Sequence, residues 1–233
     1  MKQYSNPLPD ETLDVIEDVR IIQKKKGHRF TTDSLLLARF SIPKRRSKVL
    51  DLGTGDGIVS LLLAKRDASL NITAVEIQRE MAELAERNIL LNEMGSAITV
   101  LNKDIKELPG IFPSSHFDYI ITNPPYRPLS SGRTSPEMGR NIAGKEVSVT
   151  IKDIVKVSQQ LLKVRGKFSI VYTAGRLVDL FTEMRACRIE PKTMRGIHTK
   201  GDEEARLAWV EGVKEGKPGI RIFSFSNNLR CNK

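Results

Sequence analysis

Apolar and polar residues follow two alternating patterns along the chain from residue 48 onward. Short apolar runs predict β-strands, and the longer segments between them, where apolar residues recur every three or four positions, predict helices. The predicted strands lie at 48–52, 71–76, 98–101, 117–122, 167–172, 193–197 and 219–225. The predicted helices lie at 58–66, 79–93, 150–163, 175–186 and 202–214. This alternation is typical of βαβ units and predicts an α/β fold, with a mostly parallel sheet and helices on both faces.

The chain before this alternation has a different character. We expect residues 1–47 to be an N-terminal arm and a basic helical extension, and residues 48–233 to be the main domain. The first twenty residues are polar and acidic, so we expect a loose arm that becomes structured towards Val15 and Ile16. Residues 34–38 predict a helix, and 127–147 predict a long loop, a kind of segment that is usually functional or disordered.

The charge of the chain indicates which class of partner it binds. Lys and Arg number 38 against 28 Asp and Glu, and the net charge of +10 favours a polyanionic partner. Ten of the basic residues fall between Arg20 and Lys48, where Asp33 is the single acid. The two cysteines form no CxxC pair and the three histidines are scattered, so we expect neither a disulfide framework nor a metal site. The acidic N-terminus and the lack of any long apolar run predict a cytoplasmic protein that does not cross a membrane.

A glycine-rich turn follows the first predicted strand of the main domain. Gly53, Gly55 and Gly57 stand at alternate positions, and they permit a tight turn and a close approach of the backbone to a ligand. Glu76 ends the next strand, where a carboxylate can accept hydrogen bonds from both hydroxyls of a ribose. The pattern indicates a cofactor that contains a nucleoside, although the same turn could be only a tight strand-to-helix connection.

The spacing of this turn suits S-adenosylmethionine better than a dinucleotide. A dinucleotide-binding turn has a further glycine three residues after its second, and here that position is Ile58. Asp51 and Asp56 would repel a pyrophosphate, whereas Asp51 could attract the cationic amino group of a methionine moiety.

Three further residues complete the predicted cofactor site. Ile77 follows Glu76, and Asp104 and Ile105 follow the third strand. Asp104 could accept a hydrogen bond from the adenine amine while Ile105 covers the ring, but Asp104 could equally be a helix N-cap.

The fourth strand runs directly into Asn123-Pro124-Pro125-Tyr126. Consecutive prolines remove two amide donors and stiffen the turn, so the Pro124 carbonyl and the Asn123 amide oxygen are held as acceptors. Two fixed acceptors favour the pyramidal form of an exocyclic NH2 group, which can attack a methyl donor. Tyr126 would stack on a flat base. A proline-rich turn with no catalytic role is the alternative interpretation.

These two motifs resemble those of the amino-methyltransferases with a Rossmann-like, seven-stranded sheet. Within that group, the chain is most similar to the bacterial tRNA1(Val) adenine-37 N6-methyltransferase family, over nearly its whole length. The other segments that carry this similarity are Gly27 to Ala38, Arg140 to Ala143, Lys145-Glu146, Gly175 to Leu177 and Ile189 to Lys192.

The resemblance implies methyl transfer from S-adenosylmethionine to the N6 amine of an adenine in tRNA, with S-adenosylhomocysteine as product. It implies a sheet whose last strand is antiparallel, and it places Thr31 and Asp33 over the methionine end of the cofactor. Many family members carry an aromatic residue after the tyrosine, whereas Arg127-Pro128 follows here. This departure affects the shape of the base pocket and the exact substrate.

The basic residues could form a surface that follows RNA phosphates, or they could be a solvated basic face. The candidates are Lys24, Lys25, Lys26, Arg29, Lys44, Arg45 and Arg46, with Arg127, Arg133 and Arg140 beside the motif. A target base must be unstacked to reach Asn123, which is easiest in a single-stranded loop such as the anticodon loop.

Other functions use similar residues. Methyltransferases that act on a protein glutamine carry a helical domain before the catalytic one, and here only about forty-seven residues precede the first predicted strand. Enzymes that act on DNA or rRNA have a similar motif and are not excluded by the sequence. A non-enzymatic RNA-binding module would have no use for Asn123 or Glu76.

Overall fold

A computed structural model of the chain describes residues 6–27, 29–124, 149–198 and 204–223. In these ranges the strands are β1 (Glu11–Ile16), β2 (Val19–Lys24), β3 (Lys48–Leu52), β4 (Asn71–Glu76), β5 (Ile98–Asn102), β6 (Phe117–Thr122), β7 (Leu162–Thr173), β8 (Ile189–Ile197), β9 (Leu207–Lys214) and β10 (Arg221–Phe223). The helices of the same ranges are α1 (Thr32–Phe40), α2 (Ile58–Arg66), α3 (Arg79–Leu91), α4 (Leu108–Ile111), α5 (Ile151–Leu161) and α6 (Leu177–Ala186). Short 3-10 turns lie at Ile105–Glu107 and Ala174–Arg176.

Eight of these strands form one sheet in the order β10-β8-β9-β7-β6-β3-β4-β5. Only β9 among the described strands of this sheet runs antiparallel to its neighbours, β7 and β8. The predicted α/β fold with a mostly parallel sheet is confirmed, and the three-residue β10 adds an eighth strand at the edge. The antiparallel β9 is the seventh strand of this sheet along the chain, as the resemblance implies for the last strand of a seven-stranded sheet, and the additional β10, the last described strand, is parallel to β8.

The predicted helix at 202–214 was also wrong, because Leu207–Lys214 forms strand β9. This strand lies between β7 and β8, and most of its residues are buried. A strand covered on both faces has no alternation of apolar and polar residues, and its apolar run can resemble a buried helix.

The N-terminal arm is not loose over its described part. β1 and β2 form an antiparallel hairpin, joined by a two-residue turn in which Ile16 pairs with Val19. Glu17 and Asp18 form this turn, and both have positive φ angles, of 48° and 63°. The usual sequence signal for such a turn is Asn-Gly or Asp-Gly. Because neither pair is present here, the sequence did not predict the hairpin.

Helices cover both faces of the large sheet. On one face, the hairpin, α1 and α2 contribute Ile21, Leu37 and Leu61 to a core shared with Val49 of β3. On the other face, α5 and α6 pack their apolar residues against β6 and β7. None of the helices in the described ranges is long and apolar enough to cross a membrane.

The sheet reverses its strand order between β3 and β6. From β3 the chain builds outward through β4 to β5, and it then returns to place β6 on the other side of β3. In parallel α/β sheets, ligands bind at the carboxyl ends of the strands at such a switch point. The fold therefore places the candidate site between the ends of β3 and β6.

Candidate functional site

The glycine turn and Asn123 are neighbours at the switch point. Leu52, the last residue of β3, is paired with Thr122, the last residue of β6. The Thr122 hydroxyl also donates to the Leu52 carbonyl at 2.8 Å. Gly53 and Asn123 are therefore the next residues on two adjacent parallel strands, which are about 4.8 Å apart. The glycine turn and the described start of the second motif, Asn123, therefore meet at one place.

The glycines of the turn adopt conformations that other residues rarely adopt. Gly53, Gly55 and Gly57 have φ angles of 74°, 59° and 88°. A Cβ at Gly53 would meet no atom within 4 Å, so this part of the turn faces open space. A Cβ at Gly57 would lie 3.4 Å from the Ala85 Cβ, because the turn packs closely against α3 there. The turn thus presents its backbone on one side and rests on a helix on the other.

Two buried carboxylates stand on either side of this turn. Asp51 is 2% exposed, and one of its oxygens accepts hydrogen bonds from the Thr54 and Ser60 hydroxyls, each at 2.7 Å. Glu76 is 6% exposed and accepts from the backbone N–H groups of Gly55 and Gln78. None of these partners carries a full positive charge. A cationic ligand at this position would supply one, and buried carboxylates favour such a partner.

Burial is the main reason that the pKa of Asp51 rises to about 6. The Glu76 carboxylate adds to the rise, while the hydroxyl bonds from Ser60 and Thr54 oppose it. Asp51 is therefore a carboxyl group whose charge changes close to neutral pH.

The other residues predicted to hold the cofactor lie at the same edge of the sheet. Ile77 is 51% exposed directly after Glu76. Asp104 accepts a bond from the Lys106 N–H and Glu107 accepts one from the Asp104 N–H, which together form a capping box. Ile105 is 8% exposed and packs in the core. The helix-cap interpretation of Asp104 is thus confirmed, and its role towards an adenine stays a prediction.

The start of α1 contacts the acceptor motif. The Asn123 Nδ2 donates to the Ser34 Oγ at 2.9 Å, so this contact with the start of α1 uses the amide nitrogen of Asn123 and not its oxygen. Thr31 and Asp33 lie just before Ser34, and the Thr31 hydroxyl donates to the Asp33 carboxylate. The structure brings this segment and the switch point together, although nothing in the sequence pattern predicted a bond between Ser34 and Asn123.

Asn123 is partly buried and Pro124 is buried at the end of β6. The rest of the predicted catalytic motif, Pro125 and Tyr126, lies outside the described residues, as do Arg127, Arg133 and Arg140 and the predicted loop at 127–147.

The basic residues at the end of β2 and just after it lie on the same side as the switch point, near the carboxyl ends of the parallel strands. The Lys24 ammonium is 3.1 Å from the carboxylate of Glu80, which lies in the first turn of α3, just beyond the end of β4. Burial acts to lower the pKa of Lys24, but hydrogen bonds to Asp10 and Glu80 raise it above its usual value. Arg29 pairs with Asp14 at 3.3 Å. Acidic side chains of the protein therefore already neutralise Lys24 and Arg29, whereas Lys25 and Lys26 are exposed.

The second basic group lies at the amino ends of the parallel strands, opposite the carboxyl ends where the switch point is. Lys44, Arg45 and Arg46 are exposed and directly precede β3, whose carboxyl end carries the glycine turn. The five residues of β3 separate this group from the turn by about 16 Å. The two basic groups therefore do not form one continuous surface beside Asn123.

Asn88 of α3 also contacts the glycine turn, and its sequence position gave only a weak indication of this. It interrupts an apolar stripe formed by Met81, Leu84, Ala85 and Leu91. It is fully buried, and its side chain donates to the Asp56 carbonyl at 2.9 Å. A polar residue within an apolar helical stripe is the signal that could have identified it.

Comparisons with known proteins show which family the chain resembles. The sequence profile of the methyltransferase small domain family matches residues 30–177. The tRNA1(Val) (adenine(37)-N6)-methyltransferase of Tolumonas auensis is 32% identical over 181 residues, which cover 74% of each chain. The protein of the same name from Dyadobacter fermentans is 33% identical over 64% of this chain and 60% of its own, and that from Bacteroides fragilis YCH46 is 32% identical over 60% and 58%.

Solved structures show the same fold. A predicted O-methyltransferase from Agrobacterium tumefaciens matches with a TM-score of 0.67 and 21% identity, covering 82% of this chain and 85% of that one. The [4+2]-cyclase SpnF matches with a TM-score of 0.58 and 13% identity, covering 78% and 79%. Because a cyclase shares the architecture, the fold alone does not determine the reaction.

Proposed function

The chain belongs to the methyltransferase small domain family and, within it, to the tRNA1(Val) (adenine(37)-N6)-methyltransferases, and from this premise we propose that it methylates the N6 amine of an adenine in tRNA. The observation that carries the proposal is the register at the switch point, where Leu52 is paired with Thr122. A methyl donor held by the turn after β3 and an amine held by Asn123 would thereby face each other.

The residues at this edge fit S-adenosylmethionine. The Asp51 carboxylate would bind the amino group of the methionine moiety, and Glu76 would accept hydrogen bonds from the ribose hydroxyls. The open space at Gly53 leaves room for the ligand beside the backbone. Ile77 is exposed where it could contact the adenine, and Thr31 and Asp33 would complete the methionine end. When bound, the cofactor supplies an electrophilic methyl group on a sulfonium.

Asn123 and Pro124 would orient the target amine. An exocyclic amine is a poor nucleophile because its lone pair is delocalised into the ring. Hydrogen bonds from its two hydrogens to the Asn123 amide oxygen and the Pro124 carbonyl favour the pyramidal nitrogen that attacks the methyl group. The bond to Ser34 restrains the Asn123 side chain through its nitrogen and does not use the amide oxygen. Pro125 and Tyr126 complete the motif in this proposal, with Tyr126 stacking on the base.

A tRNA anticodon loop is the substrate that we propose in particular, with adenine 37 of tRNA1(Val) as the target. The adenine there is accessible in a single-stranded loop, and the net charge of +10 suits a polyanionic partner. Such a substrate places the reaction in the cytoplasm. Arg127 and Arg140, together with Lys24, Lys25, Lys26 and Arg29, are the residues proposed to contact the RNA.

The function is tested by offering the purified protein several methyl acceptors with labelled S-adenosylmethionine. The acceptors are tRNA that lacks the modification, rRNA, DNA and a release-factor peptide that contains the target glutamine. We expect transfer to tRNA and N6-methyladenosine in its digest. Transfer only to DNA, rRNA or the peptide would contradict the proposed substrate, and transfer to none would contradict the enzyme activity.

Affinity for S-adenosylhomocysteine should fall as the pH decreases through about 6, where Asp51 takes up a proton. A raised acid pKa means that Asp51 is neutral below this pH in the free protein, so a cationic amino group can bind there only if the proton is released. The dissociation constant should therefore rise by about tenfold per pH unit below the pKa. Calorimetry at several pH values measures this. Asp51→Asn should bind weakly at neutral pH and show no such rise, whereas a flat profile for the natural protein would argue against the Asp51 contact.

Replacing Lys25 and Lys26 together by alanine should raise the KM for tRNA and make it less sensitive to salt. If each lysine neutralises one phosphate, the negative slope of log affinity against log salt should become less steep by about 0.7–0.9 per residue removed. Changing Lys44 and Arg45 together to alanine removes the same number of charges and is the matched control, because these residues lie before β3, at the other ends of the parallel strands. A larger effect of the control would place the RNA at those ends instead.

A further inference from the structure

Asn88 connects the N-terminal hairpin to α3 through an unusual pair of hydrogen bonds. Its Oδ1 accepts from the Ile22 N–H at 2.8 Å, and its Nδ2 donates to the Ile22 carbonyl at 3.0 Å. Ile22 lies in β2 with its own side chain against Met81, Leu84 and Leu91. The primary amide of Asn88 therefore pairs with β2 as a residue of a neighbouring strand would.

Asn92, one helical turn after Asn88, makes the same pair of bonds two residues earlier on β2. Its Oδ1 accepts from the Arg20 N–H at 2.9 Å, and its Nδ2 donates to the Arg20 carbonyl at 2.6 Å. Residues four apart on a helix and two apart on a strand have similar spacings, of about 6 Å and about 6.7 Å. We call Asn88 and Asn92 the asparagine ladder. The ladder provides hydrogen-bond partners for backbone groups on the side of β2 that does not pair with β1.

The two members of the ladder differ in burial and in their additional bonds, since Asn88 is fully buried while Asn92 is partly buried, and the Asn92 Nδ2 also donates to the Asn88 carbonyl at 2.7 Å. The Asn88 Nδ2 also donates to the Asp56 carbonyl at 2.9 Å, within the glycine turn. Asp56 stands between Gly55 and Gly57, both of which have positive φ angles. Glycines give the unfolded chain more freedom than other residues, so fixing this turn in one conformation costs more conformational entropy. The bond from Asn88 offsets part of that cost before any ligand arrives.

We propose that Asn88 is a positioning residue for the cofactor. Its side chain holds the glycine turn in the conformation that binds the cofactor, and it links the turn to the N-terminal hairpin. The proposal rests on the proposed function, since it takes the turn to be the cofactor site. Asn88 itself does not touch the reacting atoms in this account. Its removal should therefore weaken cofactor binding, while methyl transfer at saturating cofactor continues.

The hairpin becomes part of the cofactor site by this route. Ile22 and Asp56 are bound to the same fully buried amide group, so a change that moves β2 also moves the carbonyl of the turn. A bidentate ion pair between Arg87 and Glu11, with bonds of 2.8 and 2.9 Å, further attaches β1 to α3 next to Asn88. Residues before the main domain thus help to shape the site that lies within it.

The test compares Asn88→Ala with Asn92→Ala. Each variant loses its pair of bonds to β2, and both should unfold at a lower temperature than the natural protein. Only Asn88→Ala loses the bond to the glycine turn. Calorimetry with S-adenosylhomocysteine, well below either unfolding temperature, should show a dissociation constant about tenfold higher or more for Asn88→Ala and within about twofold for Asn92→Ala. The kcat of Asn88→Ala at saturating cofactor and tRNA should stay within about threefold of the natural value.

Three results would overturn the inference. Asn88→Ala could bind the ligand as tightly as the natural protein, both variants could lose affinity equally, or kcat could fall as much as affinity. If Asn88→Ala does not fold, Asn88→Ser offers a shorter side chain whose hydroxyl can donate to only one carbonyl, and the same comparison applies. A natural protein that binds no S-adenosylhomocysteine would instead refute the proposed function.

Discussion

Replacing Asn123 by alanine is expected to lower kcat by about 10²-fold or more while binding of S-adenosylhomocysteine is nearly unchanged. The side chain would act on the target amine, through an acceptor that the alanine methyl group cannot replace. The Leu52–Thr122 pairing that places the turn beside this position involves the backbone and is retained in the variant. Calorimetry for the cofactor and single-turnover methylation of tRNA separate the two effects.

Ser34→Ala is the matched variant for Asn123. It removes the partner of the Asn123 Nδ2 but leaves the proposed acceptor oxygen in place. We expect a smaller decrease in kcat than for Asn123→Ala, because the amide would be less well oriented but still present. If Asn123→Ala retains full activity, the amine is activated elsewhere and the proposed role of the motif is wrong.

Glu76→Ala is expected to weaken cofactor binding by about 10- to 100-fold. In this variant the ribose hydroxyls would lose their bonds to the Glu76 carboxylate, and the Gly55 N–H in the turn would lose its bond to the same carboxylate. The first loss removes a contact with the ligand, and the second loosens the backbone around it. The effect should appear in the dissociation constant for S-adenosylhomocysteine and in the KM for S-adenosylmethionine, and less in kcat.

Glu83→Ala is a suitable control for this change. Glu83 is an exposed acid on α3 whose carboxylate accepts from Arg79 at 2.8 Å, so it changes the net charge in the same way without contacting the turn. Its affinity for the cofactor should equal that of the natural protein. An unchanged dissociation constant in Glu76→Ala would refute the assignment of the ribose to this residue.

The parts of the fold that were predicted well have a local signal. The strands at 48–52, 71–76 and 117–122 have the bounds that the sequence predicted, and the helix at 58–66 also has its predicted bounds. Each is a regular element whose burial leaves a periodic or continuous apolar pattern in the sequence. The position of the candidate site follows from the same elements, because parallel strands bring their carboxyl ends to one edge.

The parts that were missed depend on contacts between distant segments. β9 is buried between two strands that it meets only in the folded sheet, so its composition resembles a helix. The hairpin is stabilised by α3, through residues 66 and 72 positions away. The Asn123–Ser34 bond joins residues 89 positions apart. No periodicity along the chain reports such pairs, and only the polar residue at position 88 of an apolar stripe marked one of them.

The charge pattern shows a similar limit. The stretch from Arg20 to Lys48 is the most basic part of the chain, but the fold divides it between two edges of the sheet. It also places acids from elsewhere, such as Glu80, against Lys24. A count of charges along the sequence therefore predicts the class of partner better than it predicts the surface that binds it.

The most direct test of the account is a crystal structure of the protein with S-adenosylhomocysteine. We expect the ligand to lie against the turn from Gly53 to Gly57, with its ribose hydroxyls bonded to Glu76 and its amino group near Asp51. The sulfur should face the Asn123 amide oxygen and the Pro124 carbonyl, with space between them for the methyl group that S-adenosylmethionine carries on this sulfur and for an amine about 3–3.5 Å from that methyl. A ligand bound away from the turn, or a sulfur that points away from Asn123, would contradict this account.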